Sequence, residues 1–97
     1  MLILTRHPSP DRARFSGVQV GDAMLRFTEA DCHTATVEIH RGGFVDVEVL
    51  HLKQDMVLDE LGARLCLFRA RPNVIKVGIR TIRGVKILRE ELVERAA

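Results

Sequence analysis

The chain is dominated by short runs in which apolar and polar residues alternate, the period of two expected of strands with one buried face. Met1 to His7 predicts a strand with Leu2, Leu4 and Arg6 on one face and Ile3 and Thr5 on the other, ended by Pro8 and Pro10. Arg12 to Ser16 reads as a loop anchored by Phe15. Strands are expected at Val18 to Val20 and Ala23 to Thr28 around the turn Gly21-Asp22, and Glu29 to Thr34 reads as a connection. Thr36 to His40 and Phe44 to Leu52 alternate again, and the glycines of Arg41-Gly42-Gly43 suit a hairpin between them. Val45, Val47 and Val49 are expected to face inward, with Asp46 and Glu48 outward.

Gln54 to Gly62 admits two readings. Asp55 can cap a short helix in which Val57, Leu58 and Leu61 share a face, or Met56 to Leu58 is a strand, the preferred reading. Arg64 to Phe68 alternates once more, and Arg71-Pro72-Asn73 turns the chain into its closing segment. There Ile75, Val77 and Ile79 alternate with Lys76, Gly78 and Arg80, Arg83-Gly84 breaks the run, and Val85 and Ile87 resume it. From Arg89 the spacing becomes helical: Leu88, Leu92 and Ala96 fall four apart, Glu90 and Glu91 occupy the first turn, and Glu91 can pair with Arg95. A helix this short needs a surface to dock on. The expected fold is mainly β, with eight or nine short strands and a C-terminal helix.

Composition narrows the function. Ninety-seven residues allow one small domain, and the absence of Trp and Tyr argues against a platform of exposed rings for stacking bases. No apolar run approaches a membrane span and no signal-peptide layout opens the chain, so a cytoplasmic protein is expected. Cys32 and Cys66 are too few for a disulfide framework. Net charge is +2, but residues 1–28 carry +2, residues 29–60 carry −6 and residues 61–97 carry +6. A polyanion is drawn to the last third and repelled by the middle. His7, His33, His40 and His51 show no ligand spacing with the cysteines, and no phosphate-binding loop, nucleophile elbow or zinc-protease motif is present. No metal, cofactor or catalytic set is expected.

Two stretches, Met1-Leu2-Ile3-Leu4-Thr5-Arg6 at the start and Ile75 to Leu92 near the end, together resemble the carbon storage regulator (CsrA/RsmA) family of bacterial RNA-binding proteins. Met1-Leu2-Ile3-Leu4-Thr5-Arg6 matches the family's opening. Without a gap, Ile75-Lys76-Val77-Gly78, the turn Thr81 to Gly84, Val85-Lys86-Ile87 and Arg89-Glu90-Glu91-Leu92 match its closing strands and the start of its helix. Ile82 stands where the family usually has Pro, and His7-Pro8-Ser9-Pro10 replaces its basic residue and Gly-Glu. The resemblance implies interlocked antiparallel sheets. It also implies an mRNA-binding translational regulator acting on GGA-containing 5′ leaders, with small RNAs as further partners. The implied RNA contacts are Leu4, Thr5, Arg6, Arg83, Val85, Ile87, Leu88 and Arg89. The alternative is a protein-interaction module that binds no RNA.

The middle contains hints of a repeat. Val20 to Phe27 resembles Leu61 to Phe68, and Val49 to Gln54 can be laid over Met1 to Arg6. These suggest two family-like halves, 1–48 and 49–97, forming a monomeric pseudo-dimer with one competent RNA site. In that reading the decayed reciprocal site joins Leu52, Lys53 and Gln54 to Asp46, Glu48 and Val49. The other reading is an ordinary protomer with a hairpin insert, which would be a homodimer.

Overall fold

A computed structural model describes residues 1–10 and 16–92. Among these, nine strands run β1 (Leu2–Arg6), β2 (Gly17–Val20), β3 (Ala23–Ala30), β4 (Thr34–Arg41), β5 (Phe44–His51), β6 (Asp55–Leu58), β7 (Ala63–Arg71), β8 (Val74–Thr81) and β9 (Ile87–Arg89). The chain enters a helix at Glu90. The mainly-β architecture with a C-terminal helix is thus as the alternation implies. The expected loop over Arg12 to Phe15, and the helical pairing of Glu91 with Arg95, lie outside the described residues.

All named strand pairs are antiparallel. They form a four-stranded sheet of order β1-β8-β7-β6 and a five-stranded sheet of order β5-β4-β3-β2-β9. The inward faces share one core, with Val18, Val20, Leu25, Phe27 and Val37 from the larger sheet and Leu4, Leu65, Leu67, Ile75 and Val77 from the smaller. In β3, β4 and β8 alternate residues are buried as the period of two predicts.

The halves interlock. β1 edges the sheet otherwise built from β6, β7 and β8, and β5 and β9 flank the sheet otherwise built from β2, β3 and β4. Replacing β1–β4 by β5–β8 and the reverse turns the order β1-β8-β7-β6 into β5-β4-β3-β2. The register repeats with it at a spacing of forty residues: Leu25 opposes Ile39 as Leu65 opposes Ile79, and Ala30 opposes Ala35 as Ala70 opposes Ile75. Even the irregularity recurs, between Phe27 and Glu29 in β3 and between Leu67 and Arg69 in β7.

Several expectations are corrected. The structural repeat pairs Leu25 with Leu65, one residue away from the frame in which Val20 to Phe27 is laid over Leu61 to Phe68. The second-half counterpart of Leu4 is Glu48, since Leu4 opposes Val77 and Glu48 opposes Val37; Leu52 is four residues too far. The boundary between residues 48 and 49 falls inside β5, which is continuous from Phe44 to His51. Asp46 and Glu48 oppose the buried Ile39 and Val37, so they take the inner face of β5, and the valines take the outer. Val45, Val47 and Val49 are exposed, by 52, 60 and 43%, and so are Asp46 and Glu48, since only Leu50 of β5 is covered. The connection expected over Glu29 to Thr34 is present but shorter, Asp31 to His33, because β3 runs to Ala30 and β4 starts at Thr34. Asp31 closes the short turn between them, its Oδ1 accepting from the amides of His33 and Thr34, which holds its carboxyl below the usual range. In Gln54 to Gly62 the preferred strand reading at Met56 to Leu58 holds, as β6, and a 3-10 turn, Asp59–Leu61, follows it, ended by Gly62 at φ +61.

Candidate nucleic-acid interface

The two segments that carry the family resemblance meet at one flank of the sandwich, where β1 edges one sheet and β9 edges the other. Arg6 joins them. Its side chain points inward with Leu4, and Nη1 and Nη2 donate to the Glu91 carboxylate at 2.8 and 3.2 Å. Nη1 also donates to the Gly17 carbonyl of β2 at 3.1 Å, and Nε to the Thr5 carbonyl at 2.7 Å. Arg6 is only 6% exposed. The forked guanidinium suits this role, because it satisfies a carboxylate with two bonds and still reaches a backbone oxygen. Hydrogen bonding from Arg6 is the main cause holding the Glu91 carboxyl below its usual range, with the positive charge of Arg89 contributing.

A second ion pair fixes the other side of the helix start. Glu90 is buried and pairs through Oε1 with Arg26 of β3. Its carboxylate lies against Gly17, where a Cβ would collide with it. Glu90 Oε2 and the hydroxyl of Ser16 are buried without a hydrogen-bond partner among the described residues. These contacts supply the docking surface that so short a helix needs.

β9 runs beside β2, with Ile87 opposite Val20, Leu88 opposite Gln19 and Arg89 opposite Val18. Val85 and Ile87 pack on the core, while Arg83, Lys86, Leu88 and Arg89 are exposed. The turn before β9 explains the isoleucine at 82. Its amide donates to the Gly62 carbonyl at 2.9 Å, a bond a proline could not make.

The structure thus sorts the eight expected contacts. Arg6 bonds Glu91, which lies two residues beyond Arg89 and whose carboxyl is also lowered by the charge of Arg89. Arg83, Leu88 and Arg89 are accessible on the β9 side, and Thr5 is exposed on the outer face of the β1 sheet. Leu4 is 2% exposed and belongs to the core, leaving only its backbone on the edge strand. Val85 and Ile87 are half-buried, and Arg6 is committed to Glu91 and Gly17. Sequence reasoning missed Glu91, Gly17 and the Glu90–Arg26 pair. The signal was present in part, because Arg6 shares its face with Leu2 and Leu4, and a cation on an apolar face needs a partner.

The expected reciprocal site is not formed. Asp46, Glu48 and Val49 belong to the same continuous strand whose end leads into Leu52, Lys53 and Gln54, so two strands are not available to build it. β6, the counterpart of β2, has no neighbour corresponding to β9 among the described residues. No cluster of metal-ligating side chains occurs among the described residues, and no described helix is long and apolar enough to cross a membrane. Compared with protein-family models, curated proteins and solved structures, the chain gives no match.

Proposed function

We propose that this chain is a cytoplasmic RNA-binding regulator of the carbon storage regulator type, which recognises GGA-containing sites in messenger leaders and controls ribosome access. The observation that carries this reading is the meeting of the two resembling segments at one flank, with Arg83, Lys86 and Arg89 exposed beside them. In this mechanism Arg89 makes the principal contact, with phosphate or a guanine edge, and Arg83 and Lys86 add phosphate contacts. Leu88 offers an apolar surface to a base. Arg6 is a positioning residue: through Glu91 it fixes the helix start, and with it the backbone that aims Arg89. Leu4, Val85 and Ile87 act by packing and through their backbone groups. Small RNAs bearing the same motif would compete for the flank.

The test is titration of a GGA-loop RNA hairpin at increasing salt. Affinity should fall as salt rises, because each phosphate contact releases counterions. Arg89→Ala should weaken binding by about tenfold or more, the usual effect of losing a good arginine contact. Equal titration of the variant and the wild type would remove Arg89 from the site.

A further inference from the structure

The second flank of the sandwich is built differently. There β5 edges the larger sheet and β6 the smaller, and a groove of about 330 Å³ runs between them. Asp46, Glu48, Asp59 and Glu60 line it against a single cation, Arg41. Arg41 is itself shared between Asp22 and Glu60, at 3.1 and 3.6 Å.

The internal correspondence says what is missing here. β6 takes the place of β2, since Leu58 opposes Ala63 as Val20 opposes Ala23. β2 carries β9 on its other edge, while the matching edge of β6 carries no strand among the described residues. Beside it, Met56 and Leu58 remain half-buried where the equivalent Val18 and Val20 are fully covered, and Val57, the equivalent of the half-buried Gln19, is 52% exposed.

From this vacancy and its charge we infer that β6 accepts a strand from a partner protein. The partner contributes an extended basic segment with apolar residues at alternate positions, which adds as the fifth strand of the smaller sheet. Strand addition supplies main-chain hydrogen bonds to an open edge, and side-chain pockets set the register. β9 shows the chemistry that fits: Val85 and Ile87 pack on the core while Lys86 and Arg89 stay outside it. On the acidic flank such cations find carboxylates instead of the Arg6 cluster. RNA is repelled by the same carboxylates. A second copy meeting edge to edge through β5 would bring Asp46 and Glu48 of both copies together, which like-charge repulsion disfavours.

The probe is a synthetic heptapeptide with the sequence of Arg83 to Arg89, compared with a version in which Arg83, Lys86 and Arg89 are replaced by Glu. Amide exchange and chemical shifts of the whole protein should show saturable binding with new protection at Asp55 to Leu58, and the reversed-charge peptide should give neither. The double variant Glu48→Lys/Glu60→Lys, folded by circular dichroism, should bind the basic peptide at least tenfold more weakly. No RNA enters these measurements, so their outcome is independent of the hairpin titration. Absence of saturable binding overturns the inference, as does protection confined to β2, β5 or β1. Protection of β6 amides that grows with protein concentration in the absence of peptide would assign the edge to a second copy and overturn it equally.

Discussion

Arg6 shows how a residue can be placed correctly by pattern and still carry a structural bond that the pattern does not announce. Alternation puts it on the face of Leu4, and that face proves to be the core side, where its charge is matched by Glu91, 85 residues further on. No local pattern announces a partner at that distance, and the RNA contact expected of Arg6 comes from the family resemblance alone. Removing Arg6 takes away a buried side chain and leaves the half-buried Glu91 carboxylate without its donors. Arg6→Ala is expected to destabilise the fold by on the order of 2–4 kcal/mol in urea unfolding, more than the loss of an exposed ion pair would. The carboxyl of Glu91 is lowered in the folded state, chiefly by its bonds from Arg6, so the pair's contribution is complete above the ordinary glutamate value of 4.5. It is lost as pH falls through the lower folded value. Glu91→Gln should therefore be less stable than wild type at pH 7, and the two unfolding curves should converge in acid; a constant gap down to pH 2 would show that the ionised pair contributes nothing. The cysteines differ as plainly. Burial and the neighbouring Asp55 push the Cys66 thiol upward, while Cys32 is exposed in a turn. Iodoacetamide on the native protein should modify Cys32 well before Cys66, as peptide mapping would show.

At the scale of elements, the existence of most strands was legible and the facing of one was not. β2, β4 and β8 lie close to where alternation puts them, because each buries every second residue. β5 alternates as cleanly, but a period of two identifies two faces without saying which is covered. Hydrophobicity names the valine face as the inner one, whereas pairing with β4 turns Asp46 and Glu48 inward and leaves the valines outside. Inward charges on an edge strand discourage pairing with other chains, which gives the arrangement a physical reason. Its energetic consequence is measurable. Val47→Thr should change stability by less than about 0.5 kcal/mol, as expected of a surface position, while Leu50→Ala, at the covered end of the same strand, should cost about 2–4 kcal/mol. Similar losses for both would return the valines to the core. The repeat frame failed by one residue for a related reason, since successive alternating strands resemble one another at several offsets; only the shared irregularities after Phe27 and Leu67 fix the true spacing.

At the scale of the whole molecule, the proposed RNA-binding function predicts one binding flank and not two. Two interlocked halves could in principle repeat every feature, and the sheets do repeat for four strands each. The symmetry ends where the halves are joined: β5 serves as the counterpart of β1, and among the described residues no strand stands beside β6 as β9 stands beside β2. The basic segment following β8 thus exists once, with Arg83, Lys86 and Arg89, while the segment following β4 carries Asp46 and Glu48. Converting Val49 and Gln54 to arginine should not create a second site, because Val49 lies on the outer face of its sheet and Gln54 lies beyond the strand. Each half already covers the inner face of the other, so the chain should be a monomer in dilute solution by multi-angle light scattering. Each monomer should bind one GGA hairpin. Native mass spectrometry with excess RNA reads both quantities together. A stable dimer carrying two RNAs would mean that the halves are not the functional pair, and two RNAs on one chain would place a second site on a flank whose carboxylates should repel it.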